Sequence, residues 1–312
     1  MSNLILAKRQ LAPEVTLLEV EAPRIQRRWK PGMFIIIRPG SNSERIPLTI
    51  VDSNAARQSI TMVIQAIGKT TKEAVALEPG ESLCDLVGPL GEAATMTTGQ
   101  KVVCMAGGVG VAELLPVAKA FREAGNHVTA LCGARSDNYR ILNDELIAAV
   151  DDLKWATDDG SFGFKGNVVQ MLLSLAGPGT FAEGHVIGPI PMMKAAAEAT
   201  RDWGMKLHAS LNPVMIDGTG MCGGCRVTVG QQVKFACVDG PEFDAHLVDF
   251  DELARRNRAY REMEQQAQAH QCRIGLDVLS ACIKSPTRAM HNSAALPAET
   301  SASAAITAPK RM

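Results

Sequence analysis

The N-terminal third of the chain consists of short apolar or alternating segments separated by proline and glycine. Such segments lie at positions 15–20, 34–38, 48–52, 60–67 and 82–86. Apolar runs of this length, broken at regular intervals by turn residues, are typical of the strands of a small antiparallel barrel. The pattern therefore predicts an all-β domain over residues 1–97.

After this region, apolar strands alternate with segments of helical spacing. A strand at 101–106 is followed by Gly107-Gly-Val-Gly110 and by a helix predicted at 114–123. The alternation continues with strands at 127–133, 153–157 and 185–187 and helices at 141–150, 167–175 and 191–203. Alternating elements of this kind form a parallel sheet covered by helices, with ligands bound at the carboxyl ends of the strands. We therefore predict a Rossmann-like α/β domain over residues 98–208.

A glycine-rich loop then carries two cysteines, in the sequence Asp217-Gly-Thr-Gly-Met-Cys222-Gly-Gly-Cys225. Glycine leaves the backbone free to turn both sulfur atoms toward one centre. A third cysteine, Cys237, follows two segments that predict a β-hairpin at 226–229 and 232–235. Three soft ligands suit iron or zinc better than calcium or magnesium. The spacing predicts a metal site within residues 209–250.

Asp217 occupies the position that the first cysteine holds in the C-x4-C-x2-C arrangement of plant-type ferredoxins. We therefore predict a [2Fe–2S] cluster with Asp217, Cys222, Cys225 and Cys237 as ligands, in which one carboxylate oxygen replaces one sulfur. The paired cysteines also allow a structural zinc site. A redox-active dithiol is the third alternative, although it leaves Cys237 without a role.

Other short segments are candidates for binding nucleotide phosphates. Arg45-Ile-Pro-Leu-Thr49 places a guanidinium and a hydroxyl at the head of a strand, and Gly68-Lys-Thr-Thr71 opens a short helix predicted at 72–77. Free N–H groups at a helix N-terminus bind anions. A surface turn and a helix cap are the plain alternatives for these two segments. Arg135, just after the second strand of the α/β domain, is either a contact for an adenosine ribose or its phosphate, or a surface arginine.

Composition narrows the classes of protein to consider. The 32 basic and 33 acidic residues nearly balance, so the chain lacks the charge excess that nucleic-acid and membrane-surface binding require. No apolar run reaches the length of a signal peptide or a membrane span. We therefore expect a cytoplasmic protein without nucleic-acid or membrane partners.

The C-terminal part is polar. Residues 251–272 are rich in Glu, Arg and Gln at helical spacing, which predicts a helix that is solvated or lies along a partner. Residues 293–309 consist mostly of Ala, Ser, Thr and Pro and offer little to bury. We therefore expect residues 273–312 to form a disordered tail.

The order of barrel, nucleotide domain and cysteine loop resembles the iron–sulfur branch of the ferredoxin reductase superfamily. The chain is more closely similar to the small FAD- and NAD-binding subunits of NADH-dependent ferredoxin:NADP oxidoreductases, also described as sulfide dehydrogenases. The electron-transfer subunit of dihydroorotate dehydrogenase is a near relative. Residues 3–272 carry the resemblance, in the segments Arg45-Ile-Pro-Leu-Thr-Ile50, Gly107-Gly-Val-Gly110, Val186-Ile-Gly-Pro189, Ser210-Leu-Asn-Pro213, Asp217 to Cys225, and Cys237-Val-Asp-Gly-Pro-Glu-Phe243.

The resemblance implies binding residues for each cofactor and for a nucleotide substrate. It assigns FAD to Arg45, Pro47, Leu48, Thr49, Val63, Ile64, Gln65, Thr70 and Thr71. It assigns NAD(H) or NADP(H) to Gly107, Gly108, Val109, Gly110, Arg135, Asp159, Gly160, Ser161, Gly188 and Pro189. Aspartate rather than cysteine at position 217 is similar to the ferredoxin:NADP branch.

The function implied by the resemblance is that of an NAD(P)H-dependent oxidoreductase subunit that passes electrons between nucleotide, FAD and cluster. Its partner would be a larger flavoprotein and iron–sulfur subunit, similar to the small subunit of glutamate synthase, and ferredoxin would be a further partner. The family includes electron-bifurcating assemblies. No side chain is predicted to be catalytic, because the cofactors carry the chemistry. The alternatives are the electron-transfer subunit of a dihydroorotate dehydrogenase and, in another class, a zinc-stabilised nucleotide-binding module.

Overall fold

Two antiparallel sheets form the N-terminal domain of the computed structural model, which describes residues 3–266. The strands are β1 (Ile5–Ala12), β2 (Val15–Glu21), β3 (Phe34–Arg38), β4 (Ile46–Thr49), β5 (Asp52–Asn54), β6 (Ser59–Gln65) and β7 (Asp85–Leu90), with short helices α1 (Pro23–Gln26) and α2 (Lys69–Ala76). One sheet has the order β1-β2-β6-β5 and the other β4-β3-β7. Strand β6 explains the alternation of apolar and polar residues in the sequence. Its alternate residues Ile60, Met62 and Ile64 all point into one apolar core. The predicted antiparallel barrel is confirmed.

The second domain is built on a seven-stranded sheet of order β11-β10-β9-β8-β12-β13-β16, in which β16 is Glu242–Asp244 and all pairs but the last are parallel. Its elements are β8 (Lys101–Gly107), α3 (Gly110–Glu123), β9 (His127–Ala134), α4 (Asn143–Ala149), β10 (Asp152–Thr157), β11 (Phe164–Lys165), α5 (Val168–Leu175), β12 (Glu183–Ile187), α6 (Ile190–Thr200) and β13 (Lys206–Ser210). The central strand β8 is buried from Val102 to Gly107, as expected for a parallel strand covered on both faces. The Rossmann-like prediction is confirmed. Helix α3 begins at Gly110, four residues before the predicted start, because the end of the glycine turn is already helical.

The C-terminal part adds the predicted hairpin, β14 (Arg226–Val229) and β15 (Gln232–Phe235), then β16 (Glu242–Asp244) and α7 (Phe250–Arg258). Strand β16 pairs with β13 and so joins the cysteine-containing segment to the α/β sheet. Phe250 and Leu253 of α7 are buried, so one face of this helix packs into the protein, while its remaining positions are exposed or half-buried. The rest of the helix predicted to residue 272, beyond position 266, and the tail at 273–312 lie outside the described residues.

One apolar cluster connects the three parts of the chain. Cys225 and Cys237 belong to the same buried cluster as Phe34 of the barrel, Leu207 of the α/β sheet and Phe250 of α7. The metal-loop segment, residues 209–250 with the four predicted metal ligands, is therefore packed against both domains rather than projecting from one of them. Within residues 3–266, no helix has both the length and the apolar character to cross a bilayer.

Candidate nucleotide and metal sites

The structure brings two of the three predicted sulfur ligands into contact. The Cys225 and Cys237 sulfurs lie 3.1 Å apart, and both side chains are buried. A hydrogen bond from the Ala236 N–H to the Cys225 carbonyl, of 3.1 Å, holds the two chain segments together. Cys222 is exposed at the tip of the loop, where its sulfur accepts a contact of 3.5 Å from the Gly224 N–H.

Asp217 is fixed toward the same loop by its own carboxylate. Its Oδ1 accepts a hydrogen bond from the Thr219 N–H at 2.9 Å, and its Oδ2 accepts one from the Cys222 N–H at 2.8 Å. These backbone donors, Thr219 first, hold the pKa of Asp217 below its ordinary value. The side chain is therefore an ionised carboxylate, and each oxygen keeps a further lone pair for a metal.

The donor set fits a [2Fe–2S] cluster, since three thiols and one carboxylate occur in a single loop and hairpin. Gly218, Gly220 and Gly223 all have positive φ angles, between 67° and 82°, which a residue with a Cβ adopts only with strain. A Cβ at Gly223 would meet no atom within 4 Å, so the loop leaves open space on that side. Within residues 3–266, no three of the four predicted ligand atoms all lie within 4.8 Å of one another.

A cavity of about 490 Å³ lies between the barrel and the α/β domain. Gly107 to Gly110, at the end of β8, form one wall, together with Arg135 after β9 and Gly188-Pro189 after β12. The barrel contributes Val15, Gln65 and Ile67. The carboxyl ends of parallel strands are where nucleotides bind in such sheets, so seven of the ten predicted nucleotide residues line one suitable cavity. These seven are Gly107, Gly108, Val109, Gly110, Arg135, Gly188 and Pro189.

Two glycines of this wall serve different purposes. Gly108 has φ +59°, and a Cβ there would meet no atom within 4 Å, so its backbone faces open space that a ligand can approach. Gly110 is required by packing, because a Cβ would lie 2.8 Å from the Ile187 carbonyl oxygen. The glycine turn therefore both closes α3 onto β12 and leaves a backbone surface accessible to a ligand.

The other three predicted nucleotide residues lie in an exposed turn after β10. The Asp159 Oδ1 accepts hydrogen bonds from the Ser161 N–H at 2.9 Å and from its hydroxyl at 2.6 Å. The Ser161 hydroxyl in turn accepts from the Asp137 N–H at 2.8 Å. The neighbouring Asp158 lines the cavity, whereas Asp159, Gly160 and Ser161 are not among its lining residues. Their predicted contact with a nucleotide stays a prediction.

The residues predicted to bind FAD lie in different structural environments. Pro47, Leu48 and Thr49 form β4 and are all half-buried, and Gln65 lines the cavity. Val63 and Ile64 are buried in the two cores that β6 separates, and their contact with FAD stays a prediction.

Helix α2 begins at Gly68-Lys-Thr-Thr, as expected for a phosphate-binding segment. The Thr71 hydroxyl accepts a hydrogen bond of 2.9 Å from the Gly68 N–H, which makes it a helix cap. The buried hydroxyl of Thr70 has no hydrogen-bond partner among residues 3–266. A buried polar group without a partner is costly, and a phosphate or ribityl oxygen would satisfy it.

Arg45 forms an ion pair on the barrel surface. Its Nη2 lies 3.1 Å from the Asp85 Oδ2, which also accepts a 2.7 Å hydrogen bond from the Arg38 Nε. Arg38, and after it Arg45, hold the pKa of Asp85 below its ordinary value despite partial burial. Arg45 therefore shares a single carboxylate with Arg38, and its contact with FAD stays a prediction.

Glu113 is a further group of this cavity, and its place three residues after Gly110 in the sequence predicts a carboxylate close to the nucleotide pyrophosphate. It lies in the first turn of α3 and lines the cavity beside the nucleotide glycines. Burial raises its pKa to about 7, and a hydrogen bond from the Thr49 side chain opposes this effect. Glu113 thus exchanges its proton near neutral pH and connects the FAD-side strand β4 with the nucleotide wall.

Sequence reasoning missed a buried polar cluster at the opposite end of β12. The Glu183 Oε1 lies 3.2 Å from the His185 Nε2 and 3.4 Å from the His208 Nε2, and the Glu242 Oε1 lies 3.7 Å from the His185 Nδ1. Burial alone disfavours a charge on His185, but the hydrogen bond to Glu183 and the nearby carboxylate of Glu242 outweigh it and raise its pKa to about 9. His185 is therefore an imidazolium between two carboxylates. Because Glu242 belongs to β16, this ion network ties the metal-loop segment to the α/β sheet.

Comparison with known proteins agrees with this architecture. Residues 212–249 match the family model of the iron–sulfur cluster binding domain of dihydroorotate dehydrogenase B, a range that includes all four predicted metal ligands. The chain is 43% identical over 262 residues to a dihydroorotate dehydrogenase B (NAD(+)) electron transfer subunit homolog of Thermotoga maritima, covering 84% of this chain and 93% of the relative. It is 30% identical over 252 residues to the dihydroorotate dehydrogenase B (NAD(+)) electron transfer subunit of Desulforamulus reducens, covering 78% of this chain and 96% of the relative.

A solved structure gives the same result. One similar chain comes from the structure of an NADH-dependent reduced ferredoxin–NADP oxidoreductase, studied for flavin-based electron bifurcation. The two chains are 40% identical and superpose with a TM-score of 0.81, and the match covers 87% of this chain and 98% of the other. A barrel, a parallel α/β domain and a cysteine loop in this order define a reductase-type electron-transfer protein. The chain belongs to the family of dihydroorotate dehydrogenase B electron-transfer subunits and their homologues. The resemblance inferred from the sequence is confirmed.

Proposed function

We propose that this chain binds FAD on the barrel and a [2Fe–2S] cluster in the cysteine loop, and that it relays electrons between NAD(P)H and a larger partner subunit. The observation that carries the proposal is the position of the loop. It lies against the barrel, so that a Cβ at Gly218 would be 2.6 Å from the Leu90 Cδ1 and 3.2 Å from the Ile36 Cδ1. Strand β3, which carries Ile36, also pairs with β4, the strand with the FAD candidates Pro47 to Thr49.

In this proposal, β4 and Gln65 hold the flavin, and Thr70 and Thr71 at the start of α2 hold its pyrophosphate. The wall from Gly107 to Gly110 binds the nucleotide on the other side of the cavity. FAD supplies conversion between the two-electron hydride and single electrons, and the cluster supplies a one-electron site. Glu113 lies between the two binding surfaces and holds a proton there near neutral pH, because burial raises its pKa to about 7.

The exposed tip of the loop suits electron exchange with a partner. Met221 is 89% exposed beside the exposed Cys222, so an apolar side chain is presented to solvent at the edge of the metal site. An exposed apolar side chain beside a ligand of the cluster would be available to a protein partner there. We propose a flavoprotein and iron–sulfur subunit as the partner, with ferredoxin as a further electron carrier, in the reducing cytoplasm.

The dihydroorotate dehydrogenase subunit is the second candidate function, because the matched family model and the relatives carry that name. Asp217 favours the ferredoxin:NADP type instead, since the dihydroorotate branch resembles a four-cysteine site. Purification from the native source distinguishes the two. A dihydroorotate-oxidising partner that co-purifies with the chain supports the second candidate.

The test is an anaerobic titration of the purified chain with NADH, followed at the flavin and cluster wavelengths, after analysis of FAD, iron and acid-labile sulfide. We expect flavin bleaching together with cluster reduction. Cys222→Ala should lose the cluster absorbance and keep the flavin, whereas Met221→Ala, at the exposed neighbouring position, should keep both. A colourless protein with one zinc per chain would overturn the proposal in favour of a zinc-stabilised module.

A further inference from the structure

Helix α7 braces the cysteine loop at both of its ends. The helix is anchored by its buried Phe250 and Leu253, and its first turn is capped by Asp249, whose Oδ1 accepts a 2.8 Å hydrogen bond from the Glu252 N–H. Near its C-terminus, the Asn257 Nδ2 donates to the Asn212 carbonyl at 3.0 Å, where the loop begins. Helix α7 lies beyond the range 212–249 that the iron–sulfur family model matches.

The preceding residue, Arg256, reaches the other end of the loop. Its Nη2 donates to the Gly223 carbonyl at 3.2 Å and to the Gly224 carbonyl at 3.4 Å. These two glycines are the residues between Cys222 and Cys225. A single guanidinium therefore holds the turn that sets the separation of two metal-ligand sulfurs.

The Nε of the same guanidinium is buried and has no hydrogen-bond partner within residues 3–266. A guanidinium has five N–H donors and no acceptor, and leaving one buried without a partner is unfavourable. The hydrogen bonds to the two glycine carbonyls use only the Nη2 of Arg256, so they do not explain why its Nε is buried as well. Sulfur atoms of a bound cluster are acceptors that the apoprotein lacks at this place.

We propose that Arg256 positions the metal centre and sets its reduction potential, with Nη2 fixing the Cys222–Cys225 turn and the Nε–H donating to a sulfur of the cluster. The inference deepens the proposed function and rests on it. Three thiolates and one carboxylate make the centre negative, and reduction adds another negative charge. A partly buried cation beside the turn stabilises the reduced form more than the oxidised form, so Arg256 raises the potential.

The test uses the cofactor-loaded protein and three variants. Arg256→Gln removes the charge but keeps donors, Arg256→Lys keeps the charge but loses the fork, and Arg255→Gln is the matched control at an exposed position on the same helix. At a fixed potential, we expect the ratio of reduced to oxidised cluster to fall about tenfold in Arg256→Gln, a shift of about 59 mV for one electron. Arg256→Lys should shift less, and Arg255→Gln should match the parent.

A second readout needs no cluster. In the metal-free protein, alkylation of the exposed Cys222 thiol should be faster in Arg256→Gln than in the parent or Arg255→Gln, because the turn is no longer held. Loss of iron from Arg256→Gln with retention in Arg256→Lys would also support the assignment. Iron lost from both, with FAD retained, would overturn the role of the charge and leave only that of the hydrogen bonds.

The failures of the two proposals are distinguishable. A fully iron-loaded Arg256→Gln with the potential of the parent would overturn the inference and leave the proposed function intact. A parent protein with neither iron nor acid-labile sulfide would overturn the proposed function itself.

Discussion

Replacement of His185 by glutamine tests the buried ion network that joins β16 to the α/β sheet. His185 is 1% exposed and Glu183 is 2% exposed, so the network is shielded from water. Its pKa of about 9 compares with about 6.5 in an unfolded chain. The difference corresponds to about 3 kcal/mol of folding free energy.

The sign follows from the direction of the pKa change. Because the folded-state pKa of His185 is raised, the contribution is fully present below about pH 6.5 and is lost as pH rises through about 9. Between pH 7 and pH 9.5 the loss is about 2 kcal/mol. Glu183 stays ionised in this window because its pKa is lowered, and the nearby His208 stays neutral because burial lowers its pKa as well. The Cys104 thiol, whose pKa is raised by burial, stays protonated.

The assay is urea unfolding of parent and His185→Gln at pH 7 and at pH 9.5, followed by tryptophan fluorescence. We expect the variant to be less stable at pH 7 and the difference from the parent to shrink by about 2 kcal/mol at pH 9.5. Subtracting variant from parent at each pH removes the titrations that both share. His127→Gln is the control. The His127 Nε2 lies 3.7 Å from the Asp152 Oδ2 and both side chains are half exposed, and such surface pairs contribute about 0–1 kcal/mol to the free energy of folding. A parent–variant difference that stays the same at both pH values would refute a charged His185.

Three further outcomes follow from the candidate site. Asp217→Cys should keep its iron but change the visible spectrum and the potential, because sulfur replaces a harder oxygen ligand; an unchanged spectrum would show that the carboxylate is not a ligand. Glu113→Gln should remove a pH dependence of NADH affinity. Since the pKa of Glu113 is about 7, its carboxylate forms as pH rises from 6 to 8 and repels the nucleotide phosphates, so parent affinity should fall by up to about tenfold while the variant stays level. Equal slopes in direct binding titrations would contradict this. Thr70→Val should weaken FAD binding by about tenfold in fluorescence titration without destabilising the apoprotein, because its buried hydroxyl lacks a protein partner; an undiminished FAD affinity would exclude the contact.

Local patterns in the sequence were sufficient for the architecture. The hairpin strands β14 and β15 lie at the positions that were predicted, since their alternation and the glycine turn between them depend on near neighbours alone. In the α/β domain the predicted strands correspond to β8, β9, β10 and β12, whereas β11 and β13 were not predicted. Cysteine spacing also predicted the metal-binding segment, because a loop of a few residues limits where its sulfurs can point.

Side-chain partners distant in sequence were not predictable in this way. Arg45 faces Asp85, forty residues away, and Arg256 reaches the carbonyls of Gly223 and Gly224 across more than thirty residues. Ser161, which is predicted to bind a nucleotide, hydrogen-bonds to Asp159 and to the Asp137 backbone, and its contact with a nucleotide stays a prediction. In each case a competing partner is supplied by a different element, and only the packing of the elements determines which partner is within reach.

The sequence by itself therefore determined the order of barrel, α/β domain and cysteine loop, because strand alternation, helical spacing and glycine position are local properties of the backbone. Tertiary structure alone decided the chemistry around the site. Burial raises the pKa of Glu113, two carboxylates from different strands hold the charge on His185, and a helix outside the metal-binding segment places Arg256 beside it. Desolvation and charge pairing depend on what surrounds a side chain in three dimensions, which the linear order of residues does not state.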